Sequence, residues 1–413
     1  MRILIIGQVW PEPSSTAAGR RMHELIELFH EAGHSITFAT AAQKTPYSQL
    51  PAGIAIDTHE IELNSSSFDV WVKSLNPEMV VFDRFMTEEQ FGWRIAQNVP
   101  QALRVLDTED LHFLRQHREN TLGKDLKNTS NQFHTPLAFR EIAAIYRCDL
   151  SLIISEFEMQ LLQTQFNVPS ELLHYLPFCR KRIETEDVSG FADFEQRNGF
   201  ATIGSFRHAP NRDAVIYLKE QIWPLIRSKK PNATICVYGS YSQNRDEQLN
   251  DLKTGFMFCG RATNALETIS KHRVLLAPLR FGAGLKGKIV DAMQSGTPFL
   301  SSSIGIEGME NELLIQQLVA NNPDEFAQKA IALHDDCSAW QSAQNLGISV
   351  FNNLFCNQLQ SESMLHRFND LHRKLAEHRV ANFTGAMLLH HRTMSTRYLS
   401  KWIEEKNKNA SQT

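Results

Sequence analysis

The residues best suited to chemistry lie in one run, PLRFGAGLKGKIVDAMQSGTPFLSSSIGIEGM, from Pro278 to Met309. Gly282, Gly284 and Gly287 free the backbone to turn tightly and to come close to a ligand. Arg280 and Lys286 bring full positive charges to the same turn, and a lysine set among glycines suits a phosphate better than open solvent. The run Lys288–Ser295 predicts a helix closed by Gly296, with Pro298 just beyond. Free amides and the dipole at the start of such a helix favour an anion. The pattern points to a phosphate or diphosphate. Asp291, one turn into the helix, reads on its own as a solvated acid able to pair with Lys288 three positions earlier.

Two other stretches carry candidate groups. In LDTEDLH (Leu106–His112) the polar residues follow an apolar run, so Asp107, Asp110 and His112 could bind hydroxyl groups or help to deprotonate one. Asp110 and His112 are the candidate catalytic pair. In PEPSSTAAGRR (Pro11–Arg21) small residues and Gly19 precede a helix, whose first amides could also face a phosphate. The same segment is equally readable as a plain cap made by Ser15 or Thr16.

These groups must be held by a frame, and the frame is legible as apolar runs alternating with helices. RILIIG (Arg2–Gly7), SITFAT (Ser35–Thr40), MVVFD (Met79–Asp83), LRVLD (Leu103–Asp107) and SLIIS (Ser151–Ser155) predict buried strands. Leu25, Leu28 and Phe29 mark an amphipathic helix between the first two, ended by Gly33. The alternation stops in the polar segment Cys179–Gly199 and restarts at FATIGS (Phe200–Ser205). TICVYGS, GFMFCG, RVLLAP and FLSSS follow, and a helix bearing Val215, Leu218 and Ile222 should end or kink at Pro224. Alternation of this kind predicts an α/β chain with two doubly wound parallel sheets, whose ligands bind beyond the carboxyl ends of the strands. Ser205, Gly239, Arg280 and Ser301–Ser303 fall at such ends. The expected domains are residues 1–178, a linker 179–199, a second domain 200–335, helices 336–375 packing back toward the first domain, and a polar, partly disordered tail 376–413.

Composition limits the function classes. The 413 residues are 42% hydrophobic and 21% charged, with a formal net charge of −4, so the overall basic field of a nucleic-acid binder is absent. No apolar run approaches the roughly 18–20 residues that span a bilayer, and the start does not read as a secretory signal. A cytoplasmic protein is expected, with peripheral contact at the inner face of the membrane open through the mildly basic tail. The six cysteines form no Cys-x-x-Cys pair and lack zinc-ligand spacing to histidine, so they read as reduced packing residues.

The motif Arg280, Gly282, Gly284, Lys286, Lys288, Ile289, Asp291, Ala292, Met293, Gly296, Pro298, with Gly305, Glu307 and Gly308 behind it, resembles the donor-site signature of GT-B glycosyltransferases. The likeness is to the retaining, sugar-nucleotide-dependent family four, of the group 1 type. IGSFRHAPNRDA (Ile203–Ala214) resembles the opening of that family's C-terminal domain. The likeness spans roughly residues 1–375 and is sharp over 200–310. It implies two Rossmann-like domains facing a cleft, with the sugar nucleotide on the C-terminal side and a glycan, lipid-linked or other glycoconjugate acceptor on the N-terminal side. It further implies transfer with retention, no cofactor and no bound metal, with Arg280 and Lys286 stabilising the departing diphosphate. Gly19, Gly204, Arg207, Asn211, Gly239, Gly282, Gly284, Lys286, Asp291 and Glu307 are its implied donor-binding residues, Asp291 on the ribose hydroxyls. A histidine near the transferring sugar in several members favours His112. Two departures stand out: Ala283 occupies the first position of the family's Glu-x7-Glu arrangement, and Ser205 and Asn211 stand about where Arg and Lys are common, with Arg207 nearby to supply charge. Ala283 keeps open a catalytically weak, sugar-nucleotide-binding partner protein. A metal-dependent GT-A enzyme would use Asp107-Thr108-Glu109. An NAD-linked dehydrogenase would need the G-x-G-x-x-G that is missing after Gly7.

Overall fold

The computed structural model describes residues 1–124, 132–309, 313–356 and 358–410. Two parallel sheets hold the site. The first has seven strands: β1 (Arg2–Gly7), β2 (Ser35–Thr40), β3 (Ile56–Glu60), β4 (Met79–Asp83), β5 (Leu103–Asp107), β6 (Leu150–Ile153) and β7 (Leu173–Tyr175), in the order β3-β2-β1-β4-β5-β6-β7. The second has five: β8 (Phe200–Ile203), β9 (Ile235–Tyr238), β10 (Phe256–Gly260), β11 (Val274–Ala277) and β12 (Phe299–Ser301), in the order β10-β9-β8-β11-β12. The central strands are continuous apolar runs because helices cover both faces; β4, β5 and β11 are buried at every residue. This is the GT-B architecture that the motif implied. The edge strand β3, IDTHE, escaped the sequence reading because it is polar and largely exposed.

Local chemistry sets the helices around the site. The helix Ala17–Glu31 starts at Thr16, whose hydroxyl accepts from the amide of Gly19 at 3.0 Å. Pro224 does not end its helix. A wide turn over Leu218–Ile222 precedes the helical segment Trp223–Lys229, placing the proline where its missing N–H breaks no bond. The linker expected over 179–199 is shorter than that. Phe194 is buried, and Arg197 is fully buried, bonding to Thr297 and the carbonyl of Ser295, so its last residues belong to the second domain.

After the second domain the chain returns. Helix Cys337–Leu354 packs on helix Gly287–Gln294, and helix Gln358–Arg373 carries Met364, Phe368 and Leu371 into the core formed by Ile3, Ile5 and Phe29. The tail corrects an expectation. Its polar residues do not face water alone: helices Leu375–Ala381 and Phe383–Ala410 dock on the first domain. Arg379 pairs with buried Asp149 and donates to the carbonyl of Ala102, while Arg94 donates to the buried hydroxyl of Ser400. The tail was expected to be polar and partly disordered; several of its polar residues satisfy buried groups instead. Residues 411–413 of the expected disordered end lie outside the described residues. Among the described residues no helix is long and apolar enough to cross a membrane.

Candidate active site

The carboxyl ends of the two sheets face one another across a cavity of about 490 Å³. Two helices aim their N-termini into it. Helix Ala17–Glu31 comes from the first domain and helix Gly287–Gln294 from the second, and neither carries an acid in its first turn. A Cβ added to Gly287 would lie 2.6 Å from the Cβ of Ala17, so only glycine lets the two ends come this close. Two positive helix ends pressed together form a site that an anion stabilises. Gly284, at φ 61°, turns the chain into the second helix; a Cβ there would meet the Cβ of Asp110 at 2.9 Å.

The two lysines of the motif divide their work. Lys286 is buried, and its ammonium donates back to the carbonyl of Gly284 at 2.6 Å, under the glycine turn. Burial lowers its pKa, opposed by the nearby carboxylate of Glu307. Lys288 lines the cavity and, among the described residues, makes no hydrogen bond or ion pair; its surroundings push its pKa down to about 7. It is the uncompensated amine of the site, and the sequence reading used it only as a partner for Asp291. Arg280 is a correction. Its guanidinium donates to Asp213 at 2.8 Å and lies over the ring of Tyr217, outside the set of residues that line the cavity. An acid one turn into the helix Ala209–Tyr217 captures it.

The acids expected to hold donor hydroxyls are engaged from across the cleft. Asp291 lines the cavity but pairs with Arg20 and has Arg180 at 4.0 Å, leaving Lys288 unpaired. Glu307 sits behind the lining and takes a bidentate contact from Arg118 at 2.6 and 2.8 Å, while Arg118 also donates to the carbonyl of Gly282. Ala283 is buried and packs with the apolar cluster of the first domain. Glu158 of that domain reaches the same turn, accepting from the amides of Gly284 at 2.8 Å and Leu111 at 3.0 Å. Burial and the Asp110 charge push Glu158 up to about 8.

Gly19, Gly204, Arg207, Asn211, Gly239 and Gly282 all line the cavity. A Cβ on Gly204 would strike the amide of Asn211, whose nitrogen donates to the carbonyl of Ser205 at 3.1 Å. Arg207 lies over the ring of Tyr241, 3.5 Å from its centroid, and the Tyr241 hydroxyl bonds to Glu12 of the other domain at 2.5 Å.

Asp110 and His112 line the cavity too, but both are committed. Asp110 is paired with Arg115; although burial alone would raise it, Arg115 and His112 hold its carboxyl well below the usual range. His112 Nδ1 lies 3.3 Å from Glu141 and its ring meets Phe85 edge-on. His208 was missed; the surrounding protein and the cation Arg115 lower its pKa. So were Arg84 and Tyr241, and Glu109 was read only within the acidic motif of a metal-dependent rival; the three share a signature. Each is a non-glycine residue with a left-handed backbone (φ 70°, 62° and 60°), each follows the end of a strand, and each lines the cavity. Such conformations cost about 1–3 kcal/mol and collect at functional sites. Position just past a strand end was the signal available in the sequence.

Comparison with known proteins agrees with this geometry. Residues 197–336 match the family model of Glycosyl transferases group 1. The chain carries a glycosyltransferase domain. S. aureus TarM, in a complex with Fondaparinux, alpha-GlcNAc-glycerol and UDP, is similar in fold at a TM-score of 0.67 and 9% identity, over 90% of this chain and 100% of that one. HepE from Anabaena, in complex with UDP and glucose, gives 0.62 and 12%, over 89% and 99%. WaaG, a glycosyltransferase involved in lipopolysaccharide biosynthesis, gives 0.61 and 12%, over 87% and 98%. An uncharacterized 44.6 kDa protein in the cps region of Klebsiella pneumoniae is 22% identical over 271 residues, 60% of this chain and 65% of that protein's length.

Proposed function

We propose that the protein transfers a sugar from a nucleoside-diphosphate sugar to a glycan, lipid-linked or other glycoconjugate acceptor, with retention of anomeric configuration and without a metal. The observation that carries this reading is the pair of helix N-termini meeting at Ala17 and Gly287, with the unpaired amine of Lys288 beside them. A diphosphate placed there would accept main-chain amides from both domains. As the bond to the sugar breaks, negative charge grows on the leaving phosphate, and amides and ammonium already in position stabilise it without reorganising. Lys286 and the neighbouring arginines add positive potential, which supports a mechanism that needs no divalent cation. UDP complexes of proteins with this fold support the nucleotide half of the donor. Retention, the acceptor class and a cytoplasmic setting facing the inner membrane surface rest on the family resemblance.

A thermal-shift panel of UDP-, GDP-, dTDP- and ADP-sugars tests the reading, since a ligand that binds the native state raises the melting temperature. One nucleotide class should stabilise and its sugar should be consumed, with or without EDTA. No stabilisation by any of them would overturn the proposal. Ala283, a methyl group where the family has a carboxylate, favours a second reading: a binding partner protein that holds the donor and does not turn it over. Stabilisation without any release of nucleoside diphosphate would select it.

A further inference from the structure

We propose that Glu109, rather than Asp110, accepts the proton of the acceptor hydroxyl. The inference rests on the glycosyltransfer reading above and assigns the base within it.

The segment LDTEDLH offers three acids, and the structure separates them. Asp107 is fully buried, with both oxygens within 3.2 Å of Arg21, which itself bonds to the carbonyls of Leu176 and Pro177. That acid holds the frame. Asp110 is spent on Arg115 and on the contact with His112. A carboxylate so strongly stabilised as an anion is a poor proton acceptor. Glu109 differs on each count. It lines the cavity, its Oε1 is buried without a hydrogen-bond partner, and its left-handed backbone at φ 62° is the conformation that turns the residue after a strand end into the cleft. A buried carboxyl oxygen without a donor lacks the partner that burial normally demands. An acceptor hydroxyl is such a donor.

The groups around it suit the task. Asp107 at the end of β5 and Asp83 at the end of β4 stand in register and act on Glu109 with negative charge; Arg84 and Arg21 oppose them. Burial and Asp107 win, and the Glu109 carboxyl is pushed up to about 8. A base works best when its pKa lies near the working pH. In the step itself, the O–H bond of the acceptor breaks and its proton goes to a Glu109 oxygen. The acceptor oxygen bonds to the anomeric carbon on the same face from which the diphosphate departs, so the configuration is retained. The bond from that carbon to the β-phosphate oxygen breaks, and its electron pair leaves with the nucleoside diphosphate. Glu109 returns the proton to water after release.

The test uses the full chain and whichever of UDP-glucose, UDP-N-acetylglucosamine, GDP-mannose, dTDP-rhamnose or ADP-glucose raises the melting temperature most. Release of nucleoside diphosphate is followed with water as the acceptor. Glu109→Gln should lower kcat by about 100-fold or more, with the donor's thermal shift unchanged. Wild-type kcat should rise with pH through about 8, and that rise should vanish in Glu109→Gln but persist in Asp110→Asn. Infrared difference spectra should show protonated carboxyl signal titrating near the same pH from Glu109 and Glu158, and Glu109→Gln should remove one part of it while Glu158→Gln removes the other, a readout needing no turnover. Should the glutamine variant fail to fold, Glu109→Asp should keep the pH dependence at reduced kcat. Turnover of Glu109→Gln within threefold of wild type, or a rise that disappears in His112→Asn and not in Glu109→Gln, would overturn the assignment while leaving the transferase reading intact. Absence of binding and consumption for every donor would sink the transferase reading instead.

Discussion

Lys288 and Arg280 were given opposite weights by their spacing and by their surroundings. Both flank the glycine turn, yet Arg280 spends its charge on Asp213, whereas Lys288 leaves an unpaired amine in the cavity whose charged form a bound anion would restore. Lys288→Ala should therefore reduce kcat/KM for the donor by about 100-fold, the cost of losing one preorganised electrostatic contact. Arg280→Ala should stay within about threefold of wild type; steady-state kinetics on both variants distinguishes the two roles. The sequence made the cationic turn legible because glycine and lysine there serve local geometry. It could not reveal which cation was free. The acid that neutralises Arg280 sits 67 positions away, and the arginines that engage Asp291 and Glu307 lie 271 and 189 positions away. Glu109 went unread as a base because its neighbour Asp110 looks chemically equivalent in one dimension; only the position of Arg115 separates them.

At the scale of elements, the two helix starts set the geometry of the cleft. Gly287 is the first residue of its helix and lacks a left-handed backbone, so Gly287→Ala adds no backbone strain. Its new Cβ, however, collides with Ala17 of the other domain. The expected outcome is an unfolding midpoint that does not fall, together with a loss of more than tenfold in kcat/KM; calorimetry and donor kinetics on one preparation check both. The returning helix Leu375–Ala381 makes a separate prediction. Despite its burial, Asp149 is held below its usual pKa by Arg104 and Arg379. A depressed carboxylate contributes stability that is present above its unfolded pKa of about 4 and is lost as pH falls through the lower folded value. Urea unfolding should thus show Arg379→Ala less stable than wild type at pH 7, and the gap should narrow as the pH drops below about 4. Of these elements the buried strands were plain in the sequence. The polar edge strand and the tail helices were not, because their residues are polar for reasons that only packing reveals.

The whole molecule is two sheets joined by side chains that no single domain contains. Arg20 grips Asp291, Arg118 grips Glu307 and Tyr241 grips Glu12, each pair spanning the cleft. If the donor enters and leaves between the halves, these bridges must loosen for it to pass, and nucleotide release would then depend on their strength. Partly exposed ionic bridges weaken as salt screens them. Raising ionic strength from about 20 to 300 mM should speed nucleotide dissociation in stopped-flow traces while weakening its equilibrium binding; a rate indifferent to salt would refute this gating. On that reading, the arginines that tie the two halves together would set the pace of release, and a slower cycle would be the counterpart of longer shelter from water.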